Sequence, residues 1–90
     1  MKNNETYINH PTFGLLFQVC PIEQHQELFT TLYAQRLFFL VTQSPEGLIF
    51  DPIGRSDARL IVENRLRKLR RLNASEDYTA LNLIYQRTFH

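Results

Sequence analysis

Side chains able to perform acid–base or nucleophilic chemistry are few in this chain and are not arranged for it. The candidate bases are His10, His25 and His90. His10 precedes Pro11 at an expected bend, where an imidazole that is structural or merely exposed is the simpler interpretation. His25 lies in a polar stretch typical of a solvated loop, and His90 is the last residue of the sequence. No motif places a nucleophile beside any of them, so we do not expect catalysis.

The sequence lacks the residues needed for a structural metal site, an internal disulfide or a phosphate-binding loop. Cys20 is the single cysteine, so it cannot form an internal disulfide, and no CxxC motif or Cys/His pair offers a zinc site. Gly14, Gly47 and Gly54 are isolated from one another and build no phosphate-binding loop. We therefore expect a non-enzymatic binding protein with a reduced thiol, no metal and no cofactor.

The elements that carry a binding surface must fit into 90 residues. A chain of this length forms one compact domain, or a small domain with a helical appendage, and buries little more than ~60% of its unfolded surface. Hydrophobic residues at 43% and charged residues at 21% are typical of a folded globular protein. No apolar run approaches the ~18 residues that cross a bilayer, and residues 1–6 are polar. We expect a cytoplasmic location.

Charge is distributed unevenly along the chain. Residues 1–54 hold two basic and five acidic side chains, a net charge of −3. Residues 55–71 hold seven basic and two acidic side chains, a net charge of +5. Because the periodicity also changes near residue 54, we divide the chain into a β domain at 1–54 and a helical appendage at 55–90.

The first half has the alternation and composition of strands. Residues 13–20 alternate, and residues 27–33 and 37–42 are rich in aromatic and β-branched types. The link near Ala34-Gln35 is a poor tight turn, whereas residues 43–47 contain Pro and Gly at turn positions. A short strand at 48–50 should follow, and residues 51–54 should end the β region. Three or four strands in this length predict a small antiparallel barrel.

Two helices should follow. Ser56 is the expected cap of the first helix, Asp57 lies in its first turn, and the helix should end near Arg71. Asn73 suits a left-handed stop, and Ser75 is the expected cap of the second helix. A link this short makes the helices antiparallel neighbours. The inward stripes are Ala58, Val62, Leu66 and Leu69 in the first helix, and Leu81, Ile84 and Thr88, with Tyr78 and Tyr85 alongside, in the second.

The strand at 37–42 carries more apolar surface than one core requires. Residues 37–41 are apolar on both faces, which requires a barrel interior on one side and a cover on the other. The C-terminal helices are one possible cover. If part of the sheet stays open, its rings form a protein-binding patch. For Phe13 and Phe39 the pattern is equally compatible with core burial and with exposure to a partner.

Four long segments resemble, in order, the cyanobacterial family of PII-interacting protein X (PipX): YINHPTFGLL at 7–16, ELFTTLYAQRLFFLV at 27–41, FDPIGRSDAR at 50–59 and NRLRKLRR at 64–71. The resemblance implies a Tudor-like small β-barrel followed by two helices, without enzymatic activity. It also implies an adaptor in nitrogen regulation with two partners. PII holds it when 2-oxoglutarate is scarce and ADP favours the complex; otherwise it coactivates the transcription factor NtcA in its 2-oxoglutarate-bound form.

The resemblance further implies which residues face the partners: Glu5, Tyr7, Phe13, Tyr33, Gln35, Arg36, Leu37 and Phe39. One surface serving two partners makes binding mutually exclusive, and the metabolite can act through the partners' conformations without binding this chain. One position departs from the family. Gln24 stands where relatives can carry an acidic residue, which puts a charge contact from that loop in doubt.

The basic run supports a competing hypothesis, in which a small β-barrel module uses a cationic helix to bind nucleic acid. Its candidate contacts, which could also form a secondary protein contact, are Arg65, Arg67, Lys68, Arg70 and Arg71. The predicted sheet lacks interleaved cations, so direct nucleic-acid binding is the weaker hypothesis. An aromatic cage for methylated lysine rests on fold analogy alone and ranks last.

Overall fold

Five antiparallel strands precede two helices in a computed structural model of the chain, which describes residues 7–32 and 37–89. The elements are β1 (Tyr7–His10), β2 (Gly14–Glu23), β3 (Gln26–Thr31), β4 (Phe38–Ser44), β5 (Gly47–Ile53), α1 (Arg55–Arg71) and α2 (Ser75–Phe89). The strands pair in sequence order, and the sheet curls into a half-barrel. The predicted α+β class, with an antiparallel β region before two helices, is confirmed.

The strand boundaries differ from the prediction at both ends of the sheet. β1 was not predicted, yet it pairs with β2 from Tyr7 opposite Phe17 to His10 opposite Gly14. β5 continues through Pro52 to Ile53, beyond the expected strand at 48–50. A proline is tolerated there because, among the described residues, β5 is an edge strand with β4 as its neighbour. The predicted Ala34-Gln35 turn and the end of the strand expected at 27–33 lie outside the described residues.

Each face of the sheet has its own hydrophobic core, as the apolar run at 37–41 required. One core joins the sheet to both helices; its fully or largely buried members are Val19, Cys20, Leu28, Phe38, Ala58, Val62, Leu66, Leu69, Leu81 and Phe89. The other fills the inside of the curl with Leu16, Phe29, Phe39 and Val41, flanked by Ile8 and Phe50. The helices are therefore the cover of one face, and the sheet's own curvature covers the other.

Helix α1 has the predicted inward face but a different start. All four residues predicted to face inward are buried. The N-cap is Gly54, in an extended conformation, and its carbonyl accepts the N–H of Ala58 at 3.0 Å. The prediction of Ser56 as the cap was wrong, because the chain enters the helix at Arg55 and places Ser56 inside the first turn. Asp57 lies in the first turn, as expected.

The turn between the helices follows the predicted left-handed stop. Asn73 has φ of 57°, the N–H of Asn73 donates to the Arg70 carbonyl at 3.1 Å, and the N–H of Ala74 donates to the Leu69 carbonyl at 3.0 Å. This pair of bonds is a Schellman motif, which satisfies carbonyls at the end of α1. The Ala74 carbonyl then accepts the Tyr78 N–H at 2.9 Å, so Ala74, and not the predicted Ser75, occupies the N-cap position of α2.

Arginines of α1 pack on aromatic rings of α2 along the whole helix pair. The guanidinium carbons of Arg55, Arg59 and Arg70 lie 5.3, 5.9 and 5.2 Å from the ring centroids of Phe89, Tyr85 and Tyr78, respectively. Residues later in α1 contact residues earlier in α2, which confirms that the two helices are antiparallel. Neither helix is long and apolar enough to cross a membrane.

Candidate protein-interaction site

Three of the predicted partner-facing side chains are exposed and one is buried. Tyr7 is 45% exposed, Phe13 45% and Leu37 44%, whereas Phe39 is 4% exposed. The pattern left burial and exposure of Phe39 equally open, and the structure places its ring in the core inside the curl of the sheet; its role in binding a partner stays a prediction. Phe13 is the member of that ambiguous pair that remains available to a partner.

Phe13 and Leu37 lie at the same end of the sheet. The β1–β2 turn leads into Leu15, whose carbonyl accepts the N–H of Leu32 at 3.1 Å from the connection between β3 and β4. Leu37 closes that connection, and its carbonyl accepts the Thr31 N–H at 3.1 Å and the Thr30 hydroxyl at 2.9 Å. We call this region, formed by residues 11–15 together with Leu32 and Leu37, the Phe13 end of the sheet. Two exposed apolar side chains are thus held there on a hydrogen-bonded backbone.

A cluster of aromatic rings supports Phe13 from beneath. The ring centroids of Phe13 and Phe39 are 5.6 Å apart, and that of His10 lies 5.1 Å from Phe13 and 5.4 Å from Phe39. Phe50 meets the His10 ring edge-on at 4.9 Å. Ring pairs at these separations add to the stabilisation from burial. The exposed Phe13 therefore packs on the buried Phe39 and the half-buried His10, which limit its movement.

Tyr7 lies on a different face of the sheet from this cluster. Side chains alternate along a strand, so Tyr7 faces away from Ile8 and His10, which point inside the curl. Its ring pairs with Phe17 across the β1–β2 ladder, at 6.0 Å between centroids. The structure thus brings Phe13, Phe39 and Leu37 to one end and places Tyr7 around the edge strand from them.

The remaining predicted partner-facing residues, Glu5, Tyr33, Gln35 and Arg36, lie outside the described residues. In the sequence, residues 33–36 fall directly between Leu32 and Leu37 of the Phe13 end. Gln24, the position that departs from the family, is in the turn between β2 and β3 at the opposite end of the sheet.

The cations of the predicted basic contact differ in their surroundings. Arg65 is half-buried, and Arg70 packs on Tyr78 and donates to its hydroxyl at 2.8 Å. Arg67 donates to the Asn64 side-chain carbonyl. Lys68 and Arg71 are exposed, and over residues 7–32 and 37–89 neither forms an ion pair. Arg67 and Arg70 are exposed too, so four of the five predicted basic contacts lie on the surface of α1.

Cys20 and Glu63 have pKa values that are shifted by their surroundings in the fold. Burial raises the pKa of the Cys20 thiol to about 12, which Arg65 only partly opposes, so the thiol stays protonated and unreactive. The Tyr85 hydroxyl donates to Glu63 at 2.5 Å and, with Arg59, lowers the pKa of that carboxyl. No group of His, Cys, Asp and Glu side chains in the described part of the chain is arranged to hold a metal ion.

Sequence reasoning did not single out His10 as a neighbour of the site. Its Nδ1 accepts the backbone N–H groups of Thr12 at 3.0 Å and Phe13 at 3.2 Å. The available signal was the string HPTF, in which a side chain with an acceptor precedes a tight turn. Of the two interpretations that the sequence favoured for His10, structural or merely exposed, the structure shows the first.

Comparison with known proteins identifies the family. The family model for PII-interacting protein X (PipX) matches residues 4–89, nearly the whole chain. A search of curated proteins gave no match. The matched range includes both sheet edges, the Phe13 end and the two helices. The chain therefore belongs to the PII-interacting protein X family, whose members are non-enzymatic adaptors that bind the signalling protein PII.

Proposed function

We propose that this protein binds PII through the Phe13 end of its sheet and that the same surface alternatively binds the transcription factor NtcA as a coactivator. The observation that carries the proposal is the pair Phe13 and Leu37, both nearly half exposed at one end of a sheet in a chain of the PII-interacting family. Large apolar side chains held at a fixed backbone position are typical anchors of protein interfaces.

The undescribed residues complete this surface in the proposal. Tyr33, Gln35 and Arg36 adjoin Leu37 in the sequence, and Glu5 precedes Tyr7. Arg36 and Glu5 would supply charged contacts at the rim, while the aromatic and leucine side chains would form its centre. Tyr7 extends the surface around the edge strand, and Phe39 contributes from below by supporting Phe13.

Mutual exclusion is the proposed switch. If PII and NtcA each cover Phe13, one molecule cannot hold both, and the partner with the higher affinity under the prevailing conditions takes it. ADP and scarce 2-oxoglutarate favour PII, and abundant 2-oxoglutarate favours NtcA. Metabolite control then acts through differential affinities of the two partners.

The metabolite is not proposed to bind this chain. We expect calorimetric titration of 2-oxoglutarate into the isolated protein to give no saturable heat. A saturable signal would place part of the sensing in this chain and contradict the proposal.

The two parts of the chain take different roles in this proposal. Residues 1–54 carry the partner-binding surface, and residues 55–90 cover the outer face of the sheet and present the remaining cations of α1. The proposed partners place the protein in the cytoplasm.

Direct binding to nucleic acid is not part of the proposal. Arg55, Arg59 and Arg70 pack on rings of α2, so these guanidinium groups already have partners within the protein. We expect no complex with DNA or RNA at low salt. A complex whose affinity falls steeply with salt concentration would favour the nucleic-acid hypothesis.

A matched pair of leucines tests the location of the site. Leu37 and Leu48 are equally exposed at 44%, but Leu48 lies by the β4–β5 turn at the opposite end of the sheet. We expect Leu37→Ala and Phe13→Ala each to weaken PII binding by roughly thirtyfold, about 2 kcal/mol for an anchor side chain. Leu48→Ala should bind as the wild type does. PII affinity that is unchanged by both Phe13→Ala and Leu37→Ala would place the site elsewhere.

A further inference from the structure

We infer that His10 is a positioning residue of the PII-binding surface: its imidazole holds the β1–β2 turn and the Phe13 ring in the conformation that the partner binds. This inference rests on the proposed function of the Phe13 end. It assigns a specific role to a side chain that would otherwise count as ordinary turn structure.

The first observation is the pair of hydrogen bonds from the turn to the imidazole. The Thr12 N–H donates to His10 Nδ1 at 3.0 Å, and the Phe13 N–H donates to the same atom at 3.2 Å. An atom that accepts two N–H groups carries no proton, so the ring is in the form with its hydrogen on Nε2. The imidazole thereby fixes the backbone of Phe13 itself.

The second observation is the packing of the ring. The His10 plane lies 29° from that of Phe39 at 5.4 Å and 83° from that of Phe50 at 4.9 Å. His10 belongs to β1 and Phe50 to β5, the two edges of the sheet, and no ladder joins those edges among the described residues. The His10 ring therefore connects the edges through side-chain contacts, while its other neighbour is Phe13 at 5.1 Å.

Together these contacts give His10 a role in binding as well as in folding. The ring is anchored on core residues, and its Nδ1 holds the turn that presents Phe13. A side chain that is already ordered loses less conformational freedom when a partner covers it. Removing the imidazole should therefore weaken PII binding through Phe13, even if His10 itself makes no contact with PII.

Two substitutions test separately the two contributions of His10, the hydrogen-bond acceptor Nδ1 and the packing of its ring. In His10→Asn, the side-chain oxygen occupies the position of Nδ1 and can accept the same two N–H groups as an Asx turn. In His10→Phe, the ring can pack on Phe39 while the acceptor is lost. His25→Ala is the control, because the His25 side chain is exposed and lies at the other end of the sheet.

Hydrogen exchange and PII affinity provide the test, with folding of each variant checked by circular dichroism. We expect faster amide exchange at Thr12 and Phe13 in His10→Phe, with roughly tenfold weaker PII binding, and smaller changes in His10→Asn. His25→Ala should match the wild type. If wild type and both His10 variants bind PII with the same affinity, the inference is overturned.

A double-mutant cycle distinguishes positioning from general destabilisation. If His10 acts through Phe13, His10→Phe should weaken PII binding in the wild-type background but cause little further loss in a Phe13→Ala background. Equal losses in both backgrounds would overturn the inference. Normal binding by Phe13→Ala alone would also overturn the inference. If wild type does not bind PII, or both Phe13→Ala and Leu37→Ala bind normally, the proposed function fails instead.

The hydrogen bonds to His10 Nδ1 can be tested in the wild-type protein, without a variant that must fold. The imidazole nitrogen resonances should show the hydrogen on Nε2 and an unprotonated, hydrogen-bonded Nδ1. A hydrogen on Nδ1 would contradict the arrangement and remove the basis of the inference.

Discussion

At the residue scale, Phe13 and Phe39 are neighbouring rings that differ sharply in exposure. Phe39 is buried inside the curl, and Phe13 rests on it at 5.6 Å with nearly half of its surface exposed. The sequence identified both as candidates but left their roles open, because alternation gives the face of a strand and not what covers it. What decides the difference is a contact with His10 and Phe50, which are distant from Phe39 in the sequence.

The two phenylalanines should respond differently to truncation. Phe39→Ala leaves a cavity in a packed core, so we expect the free energy of unfolding to fall by about 3 kcal/mol or more. Phe13→Ala removes a half-exposed ring and should cost about 1 kcal/mol or less while weakening PII binding. Urea denaturation of both variants measures the difference. Equal losses of stability would mean that Phe13 is a core residue and not an anchor for a partner.

Burial of the Cys20 thiol makes the free energy of unfolding fall as pH rises through the alkaline range. Its pKa is raised by burial from 9.0 to about 12, so the unfolded chain loses the thiol proton at lower pH than the folded chain does. The contribution is fully present below the unfolded pKa and is lost as pH rises towards the folded value. Between about pH 8 and about pH 10.5 we expect a loss of about 2 kcal/mol from this thiol.

Cys20→Ala is the comparison that isolates this effect. The variant lacks the thiol, so its stability should change less over the same pH range, measured by urea denaturation under reducing conditions. Identical pH dependence in the two proteins would show that the thiol is not buried in the folded state.

At the scale of elements, long periodic segments were predictable and short paired ones were not. The inward face of α1 was predicted completely because a period near 3.6 persists over 17 residues. β1 was missed because four residues are too few to show alternation, and its stability comes from pairing with β2. The caps were misplaced because backbone carbonyls of Gly54 and Ala74 begin the two helices, where serine side chains were expected.

The Tyr85 hydroxyl of α2 donates a hydrogen bond to the Glu63 carboxylate of α1, and the pKa of Glu63 reports on this contact. The Tyr85 hydroxyl is the largest cause of the lowered Glu63 pKa, and Arg59 adds to it. We expect Tyr85→Phe to raise the pKa of Glu63 towards its ordinary value of 4.5, as followed by carboxyl NMR shifts. In the wild type, the contribution of this carboxyl to stability is present above its unfolded pKa and is lost as pH falls through the lower folded pKa.

Tyr78→Phe is the matched control for that measurement. Tyr78 accepts a hydrogen bond from Arg70 and not from the Arg59–Glu63 pair, so its loss should leave the Glu63 pKa unchanged. A shift of equal size in both variants would indicate a general rearrangement of the helices instead of a local hydrogen bond.

At the scale of the whole molecule, the way the two faces of the sheet are covered determines which apolar side chains stay exposed. Helices occupy one face and the sheet's own curl encloses the other, so the exposed apolar side chains at the Phe13 end remain available. The sequence predicted the need for two covers from the apolar run at 37–41. The separation of Tyr7 from Phe13 was not predictable in the same way, because it depends on the pairing of β1 with β2, and β1 was not predicted.

The central claim is that one surface serves both partners in turn, and a surface-capture experiment tests it most directly. NtcA is immobilised, loaded with this protein in the presence of 2-oxoglutarate and ADP, and then exposed to a large molar excess of PII, so that competition by mass action overcomes the preference for NtcA. The account predicts that PII removes the protein from NtcA and is not itself retained, and that the Phe13→Ala variant of this protein is captured poorly by either partner. Stable retention of PII on the NtcA surface through the wild-type protein would show that the two partners bind different surfaces and would contradict the account.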